Sequence, residues 1–287
     1  MSTTDLARAV ERFAALTQGL PDSALERHWA WGAYDEEGVR FAFFRTYEEL
    51  RELATKTAAE RLAQGRPATE AQRILAQYHE AHRDLQAALL GLDAEDADRV
   101  PAEGEWPVRR VVAHITGADL GFYGVTRYAL DRHRSGDDRP AEIPDEAWDE
   151  ILGQDEATID AILDGPWAEL VAYHEAFHQR VLRELADLSE EELAAPSTYW
   201  EGYPLSLRFR LHRFDSHLRQ HTVQIDKTLS CLGLVPGEAK RLLRLIYAGW
   251  AEVEGAVIGA WDVGADLRRE AAATLAARTE EVAAILA

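Results

Sequence analysis

Apolar residues recur at intervals of three and four positions along almost the whole chain, which is the spacing of one face of an α-helix. Convincing alternation of apolar and polar residues, the mark of a half-buried strand, is absent. The pattern therefore predicts an all-α fold built from longer helices. The windows that carry it are 6–20, 39–62, 71–90, 108–130, 167–185, 207–232, 239–258 and 267–285.

The longest stretch without a helical pattern is 135–144, which is rich in Asp, Arg and Pro. It separates the second and third of the four central helices. A long connection at that point is typical of a bundle that does not run strictly up and down. We therefore predict a four-helix bundle with a long crossover over residues 68–233.

The remaining segments, 1–67 and 234–287, are predicted to form extra N-terminal and C-terminal helices. The run LPDSAL at 20–25 resembles LDAEDA at 92–97, and a glycine and an aromatic residue follow each run at the same offset. This echo suggests that the first helices are a degenerate copy of half of the bundle. On that interpretation the two flanking segments pack together as a second pair of half-bundles.

The charge of the chain excludes one class of partner. Its formal net charge of -20 is repelled by phosphate backbones and anionic membranes, and no compact Lys/Arg cluster offsets that repulsion. We therefore expect no nucleic-acid and no membrane partner. No window approaches the ~20 apolar residues of a transmembrane helix. The first residues lack the basic start and apolar core of a signal peptide, so a cytoplasmic location is expected.

The single cysteine, Cys231, excludes an intramolecular disulfide and a cysteine-rich zinc site. Histidines are the remaining candidates for metal ligands. His217 and His221 lie four residues apart in a helical window, so both rings project from one face, one turn apart. The spacing alone is a weak signal, because ten histidines in a helical protein produce such pairs by accident. Two satisfied or solvated histidines are an equally good interpretation.

A rival pair shows how weak the spacing is. His174, Glu175 and His178 fit the H-E-x-x-H pattern, in which two histidines bind zinc and the glutamate activates water. A polar helix face is the favoured interpretation, because polar residues follow directly and no sheet is predicted beside this helix. A zinc protease is therefore the least favoured alternative. His79 and His82, three residues apart, are likewise predicted to face solvent.

His114 is the candidate third ligand. It lies in an apolar helical window, where a lone histidine is more often a buried, hydrogen-bonded core residue. Gly117 and Ala118 follow at three and four residues, so the same helix face carries no bulky side chain beside the imidazole. An open cavity is predicted there, with room for a metal ion and its water.

Three runs resemble one known family. WPVRRVVAHITGADLGF at 106–122, LSEEELAAPSTYWEG at 188–202 and HLRQHTVQI at 217–225 occur in the order found in the DinB/YfiT-like superfamily of four-helix-bundle metalloproteins. The resemblance covers roughly residues 70–232. It departs from the family's pattern in the helices at both ends and in Pro107, where Ser or Thr is common. It implies a DinB-like four-helix bundle with a three-histidine site at His114, His217 and His221.

The resemblance also implies a function. The expected cofactor is a divalent metal, with zinc as the first choice and nickel or iron as alternatives. Relatives include thiol-dependent S-transferases and isomerases that use bacillithiol or mycothiol, and metal-dependent hydrolases. We therefore expect an enzyme that acts on a small-molecule substrate, either as a thiol S-transferase with a low-molecular-weight thiol or as a hydrolase. A non-catalytic protein that binds a metal or a small ligand is the alternative, and the family's habit of pairing through helical faces suggests a homodimer.

Further residues are candidates for roles around the metal. Gln224, one turn beyond His221, is a candidate hydrogen-bond partner of a ligand or bound water. Asp119 is a candidate acid or base at the rim, with a solvated surface carboxylate as the alternative. Arg213 is a candidate partner for a substrate carboxylate. The aromatic candidates for the pocket wall, which could equally be plugs at the bundle ends, are Trp106, Trp200 and Tyr203.

Overall fold

A computed structural model describes residues 5–287, and these residues form thirteen α-helices and one two-stranded antiparallel ladder. The predicted all-α class is confirmed, and each of the eight apolar windows coincides with a long helix. The ladder consists of β1 (Pro196–Ser197) and β2 (Leu205–Ser206). The helices are α1 (Asp5–Thr17), α2 (Asp22–Leu25), α3 (Val39–Ala63), α4 (Glu70–Ala88), α5 (Ala94–Asp98), α6 (Val108–Arg134), α7 (Asp145–Leu152), α8 (Glu156–Leu163), α9 (Trp167–Glu184), α10 (Glu190–Ala194), α11 (Leu207–Cys231), α12 (Glu238–Gly255) and α13 (Ala265–Leu286).

The chain divides into two compact units. One unit contains the described part of Met1–Ala68 together with Arg83–Gly91 and Val235–Ala287. The other contains Thr69–His82 and Leu92–Leu234. This division differs from the predicted boundaries mainly in Arg83–Gly91, which continue α4 but belong to the unit of the chain ends.

The unit of the chain ends has its own hydrophobic core. Helix α1 packs on α13, and α3 packs on α12 and α13, so helices from the two ends of the chain lie side by side. Within this core the rings of Phe13 and Phe43 meet edge to face at 5.0 Å, and Trp250 is almost fully buried. That these helices descend from a copied half-bundle stays a prediction.

The central unit is the predicted four-helix bundle. Its long helices are α6, α9, α11 and the first part of α4, and α6 packs against both α9 and α11. Ile115 and Leu120 on α6, with Leu211 and Leu218 on α11, are buried at helical spacing because one face of each helix lies in the core. The bundle therefore fixes α6 and α11 against each other, and these two helices carry the histidines considered below.

Residues 135–144 lack helical structure, and the crossover continues into α7 and α8, which sequence periodicity did not predict. Both helices are eight residues long and neither buries a side chain fully, so their apolar pattern is short and weak. No helix within residues 5–287 combines the length and the apolar character needed to cross a membrane.

Gly124 allows α7 to approach α6 closely. A Cβ at this position would lie 2.3 Å from a ring carbon of Trp148 on α7. We expect Gly124→Ala to push that ring away and to lower the free energy of unfolding by about 1–3 kcal/mol, the usual cost of overpacking. Urea denaturation measures the change. The control is Gly19→Ala in the exposed turn after α1, where a Cβ would meet nothing within 4 Å and φ is not positive, so the change should cost little. Equal losses in both variants would contradict the close approach.

Candidate metal centre

His217 and His221 lie together on one face of α11. Ser206 caps this helix by accepting a hydrogen bond from the Phe209 amide, and the helix continues without a break to Cys231. The two Nε2 atoms are 3.1 Å apart, and both side chains are buried. The four-residue spacing thus brings two imidazole nitrogens to one point, as the helix geometry requires.

His114 on α6 completes the group. Its ring centre lies 5.0 Å from that of His217 and 4.6 Å from that of His221, because α6 packs on α11 at this level. One ring nitrogen of each histidine lies within 4.8 Å of the others. Across residues 5–287 this is the one group of three or more potential ligands that meets this distance. His114 is exposed beside the two buried rings, so it is not the buried core histidine that an apolar helix face more often carries.

Gln224 fixes the tautomer of His221. Its Oε1 atom lies 2.8 Å from His221 Nδ1, and an amide oxygen only accepts hydrogen bonds. The ring therefore donates from Nδ1 and keeps its lone pair on Nε2, the atom that faces His217. An outer partner of this kind is what metal-binding histidines usually have.

The protonation states suit ligation. Burial lowers the pKa of His114, and the nearby His221 lowers it further. Burial, the rings of His221 and His114, and the charge of Arg213 lower the pKa of His217 to about 3. Both rings are therefore neutral at pH 7, which is the form that binds metals.

The three histidines fit a divalent metal ion. Tetrahedral zinc, with Zn–N bonds of about 2.0–2.1 Å, holds its ligand nitrogens roughly 3.3 Å apart, close to the spacing of the His217 and His221 nitrogens. Neutral imidazoles also suit nickel and iron. Because Gln224 accepts the hydrogen bond from His221 Nδ1, the lone pair on His221 Nε2 would be free to bind an ion placed here. The donor set is therefore complete on the protein side without a carboxylate or a thiolate.

Loss of the Gln224 contact should weaken metal binding. We expect Gln224→Ala to lower zinc affinity by about 10–100-fold, the usual cost of removing an outer partner of a ligating histidine. A competition titration with a chromophoric chelator measures the affinity. Gln220→Ala is the matched control, because Gln220 is exposed on the same helix. A loss of equal size in both variants would contradict the role of the Gln224 amide.

The low pKa of His217 should appear in the stability of the metal-free protein. Since the folded state has a pKa of about 3 and an unfolded histidine about 6.5, the unfolded state binds more protons between these values. The contribution of His217 to the free energy of unfolding is therefore complete above pH 6.5 and is lost as the pH falls toward 3. Urea denaturation with a chelator at a series of pH values measures this slope. His217→Ala should flatten it, and an unchanged slope would contradict the assignment.

A cavity of about 670 Å³ opens beside the histidines. Trp106 lies edge-on to the His114 ring at 5.4 Å, and Trp200 stands at the rim, 70% exposed. Arg213 also faces this cavity, one turn before His217. The lining residues are Trp106, Arg110, Ala113, His114, Gly117, Ala118, Phe122, Asp160, Leu163, Asp164, Tyr199, Trp200, Arg213 and His217.

Tyr199 is a wall residue that the sequence analysis missed. Its ring lies against Gly121 on α6, where a Cβ would come within 2.2 Å of the tyrosine hydroxyl. Burial raises the pKa of Tyr199, so its hydroxyl is neutral at pH 7. A signal existed, because Tyr199 precedes Trp200 directly and Gly121 falls on the His114 helix, but neither residue type is diagnostic alone.

Two predicted site residues lie elsewhere. Tyr203 is 58% exposed and does not line the cavity, because Gly202, with a positive φ, turns the chain between it and Trp200. Asp119 is neither at the rim nor on the surface, so both predictions for it are wrong. It is fully buried, accepts a 2.7 Å hydrogen bond from Tyr78, and has its Oδ2 atom 3.5 Å from His174 Nε2. Its position five residues after His114 rotates it away from the cavity.

The predicted solvent-facing histidines are in fact buried. His79 and His82 on α4 meet His174 and His178 on α9 inside the central unit. His79 Nδ1 lies 2.9 Å from His178 Nε2, and the rings of His82 and His178 stack 3.8 Å apart and nearly parallel. The polar-face interpretation is therefore wrong, because all four side chains are buried. The rings of His82 and His178 lie in nearly parallel planes, so the lone pairs of these two rings cannot point at one ion.

The zinc-protease alternative also lacks its geometry. His178 is engaged with His79, while His174 faces Asp119. Glu175 is hydrogen bonded to His82 at 2.7 Å. The two histidines of the H-E-x-x-H pattern thus contact different partners, and they do not form part of the converging group in the described residues.

A helical bundle with three converging histidines beside an open cavity defines a class of candidate metal-binding bundle proteins. The sequence model of the DinB superfamily matches residues 77–225, a little over half of the chain. The protein therefore belongs to the DinB superfamily, as the resemblance of its motifs implied.

The chain is also similar to one solved structure, that of YfiT from Bacillus subtilis, described as a probable metal-dependent hydrolase with an unusual four-helix bundle topology. The two share 19% sequence identity with a TM-score of 0.40, over 57% of this chain and 88% of that one. No curated protein matched the chain.

Proposed function

We propose that this protein is a metal-dependent enzyme that acts on a small molecule, by hydrolysis or by transfer of a low-molecular-weight thiol. The observation that carries the proposal is the meeting of three imidazoles from α6 and α11 beside an open cavity. A purely structural metal site is usually closed by four protein ligands, whereas catalytic sites keep a position open. The described residues supply three such ligands here.

The residues of the site have distinct roles in this proposal. His114, His217 and His221 would hold the ion, and Gln224 orients the His221 ring. A divalent metal bound here would supply Lewis acidity and lower the pKa of a water or thiol ligand. Trp106 packs edge to face with His114, and Phe122 packs edge to face with His217, so aromatic rings flank two of the three imidazoles. The neutral Tyr199 hydroxyl is available to donate to or accept from a substrate.

A non-catalytic ligand-binding protein is the competing proposal, and it requires a fourth protein ligand. Gln224 is the polar side chain bonded to the group, yet it contacts His221 Nδ1, on the far side of the ring from the converging atoms. This position supports the open site. The cytoplasmic location and the homodimer remain predictions.

Metal loading followed by spectroscopy tests the proposal. Purified protein is first analysed for metal content, which we expect to be one divalent ion per chain. The ion is then replaced by cobalt(II), and cysteine is added as a thiol probe. A change in the visible spectrum on adding thiol supports a free position that takes a thiolate. The absence of stoichiometric metal would overturn the enzyme proposal. A cobalt spectrum that stays unchanged when cysteine is added would also overturn it.

Hydrolysis and thiol transfer are separated by a second assay. The metal-loaded protein is incubated with activated esters and, separately, with glutathione and an electrophile such as chlorodinitrobenzene. Ester turnover that needs no thiol favours the hydrolase. Turnover that depends on the thiol and disappears in His217→Ala favours the transferase.

A further inference from the structure

Each candidate ligand helix carries an arginine one turn before its first ligand histidine. Arg110 precedes His114 on α6, and Arg213 precedes His217 on α11, at the same four-residue spacing. Residues so spaced lie on one helix face. Both arginines accordingly line the cavity beside the histidines. A chain with a net charge of -20 thus directs two guanidinium groups toward the same small space.

Arg213 has unused hydrogen-bonding capacity. Its Nε atom is buried and has no hydrogen-bond partner, and its Nη1 atom makes only a long 3.4 Å contact with Ser216 Oγ. Among residues 5–287, no carboxylate forms an ion pair with Arg213. A guanidinium presents five donors in a fixed fork, so most of its donors remain available to a ligand.

The neighbouring Arg210 shows the contrast. Its fully buried guanidinium bonds to Glu201 Oε1 at 2.6 Å and to Ser197 Oγ at 3.0 Å. Burial raises the pKa of Glu201, but the hydrogen bond from Arg210 and, to a smaller degree, the charges of Arg210 and Arg213 lower it below its usual value. Among the described residues, Glu201 therefore forms its ion pair with Arg210, and no carboxylate forms one with Arg213.

Arg110 differs in environment. Its guanidinium lies over the Trp106 ring, 4.4 Å from the ring centre, and the residue is exposed. Water and salt screen an exposed charge, so its pull on a bound anion is weak. The stronger anion partner in this cavity is therefore Arg213.

The rest of the cavity is suited to a flat apolar body. Phe122 lies beneath the Arg213 guanidinium at 5.5 Å and edge-on to His217, and Tyr199 and Trp106 supply further aromatic faces. The acidic residues of the lining, Asp160 and Asp164, are exposed near the end of α8. Their negative charges disfavour an anionic group at the rim. The favoured position for an anionic group is therefore beside Arg213.

We propose that the cavity binds a small carboxylate with an aromatic or other flat apolar body, and that Arg213 pairs with the carboxylate. This inference rests on the proposed function in one respect, since it places the substrate of that function in the same cavity. A carboxylate is the class of anion that fits best, because its single charge matches one guanidinium and its two oxygens match the guanidinium fork.

Direct binding to metal-free protein tests the pairing without any contribution from a metal. Benzoate is the probe, benzamide is its neutral counterpart of the same shape, and phenyl phosphate carries the other common anion. Tryptophan fluorescence reports occupancy, because Trp106 and Trp200 line the cavity. We expect benzoate to bind at least about 10-fold more tightly than benzamide, which is the range of one charged hydrogen-bonded pair, and more tightly than phenyl phosphate.

Variants of the two arginines locate the effect. Arg213→Met should weaken benzoate binding by at least about 10-fold and leave benzamide binding unchanged. The matched control is Arg110→Met, which removes an equal charge from the same cavity and should change benzoate binding by less than about 3-fold. Arg213→Lys, which keeps the charge but not the fork, should fall between Arg213→Met and the wild type. Circular dichroism shows whether each variant is folded.

Zinc affinity measured on the same variants separates this inference from the proposed function. Arg213→Met should still bind one zinc ion per chain, at least as tightly as the wild type, since Arg213 is not a ligand and its positive charge near His217 opposes a cation. Equal binding of benzoate and benzamide, or equal losses in Arg213→Met and Arg110→Met, would overturn the inference while leaving the metal site intact. Benzoate binding that depends on Arg213 in a protein that takes up no zinc would support the inference and overturn the proposed function.

Discussion

Replacing His217 by alanine is expected to abolish stoichiometric metal binding. His217 is buried, and its Nε2 atom lies 3.1 Å from that of His221, so its loss leaves two ligands, one of them exposed. The affinity should fall by more than the roughly 10–100-fold that loss of an outer partner costs. Metal analysis after dialysis, together with a chelator competition titration, measures the loss.

His212→Ala is the matched control for this result. His212 lies on the same helix, is exposed, and is not part of the converging group, so its replacement should leave the metal content unchanged. His221→Ala should behave like His217→Ala. If His217→Ala retained one tightly bound ion per chain, the ion would have to lie elsewhere and the proposed centre would be wrong.

Replacing Glu201 by alanine is expected to be the most destabilising change in the loop between β1 and β2. Arg210 is fully buried, and Glu201 is its carboxylate partner at 2.6 Å. Loss of one partner of a buried ion pair costs about 3–5 kcal/mol, because the other charge stays buried without compensation. Urea denaturation measures the change in the free energy of unfolding.

The controls separate burial from charge. Glu105→Ala removes an exposed partner of Lys227 and should cost no more than about 1 kcal/mol. The double variant Arg210→Met with Glu201→Leu should recover much of the stability, since neither charge then remains buried. A loss in Glu201→Ala as small as that in Glu105→Ala would show that the buried pair contributes little.

The helices could be predicted because their apolar faces are long. Windows such as 108–130 and 207–232 repeat the helical period over six or more turns, and tertiary packing has no reason to override a pattern of that length. Helices α7 and α8 were missed, because each has only eight residues and buries no side chain fully. The two-residue strands are set by the turn between them and carry no periodic signal.

The site was predictable to the extent that helix geometry determines it. The four-residue spacing places His217 and His221 together in any straight helix. The meeting of His114 with them depends on how α6 packs against α11, which spacing within a single helix cannot determine, and it was inferred from the family resemblance. Tyr199 reaches the cavity through a loop held by Arg210, and nothing local in the sequence indicates that contact.

The errors share a physical cause. His79, His82, His174 and His178 were predicted to face water because polar side chains usually do, yet they are buried together in the central unit. The alternative for Asp119, a solvated surface carboxylate, was predicted for the same reason. Buried polar groups satisfy one another in pairs such as Tyr78 with Asp119, and such partners come from different helices.

The unequal exposure of the three histidines has a consequence for metal choice. His217 and His221 are buried, whereas the side chain of His114 is exposed and so less tightly enclosed. We expect a site with one exposed ligand to accept ions of different size and preferred coordination number more readily than a fully buried site. On that expectation, we predict that the geometry of the site discriminates only weakly among zinc, nickel and iron, and that metal availability decides which ion binds.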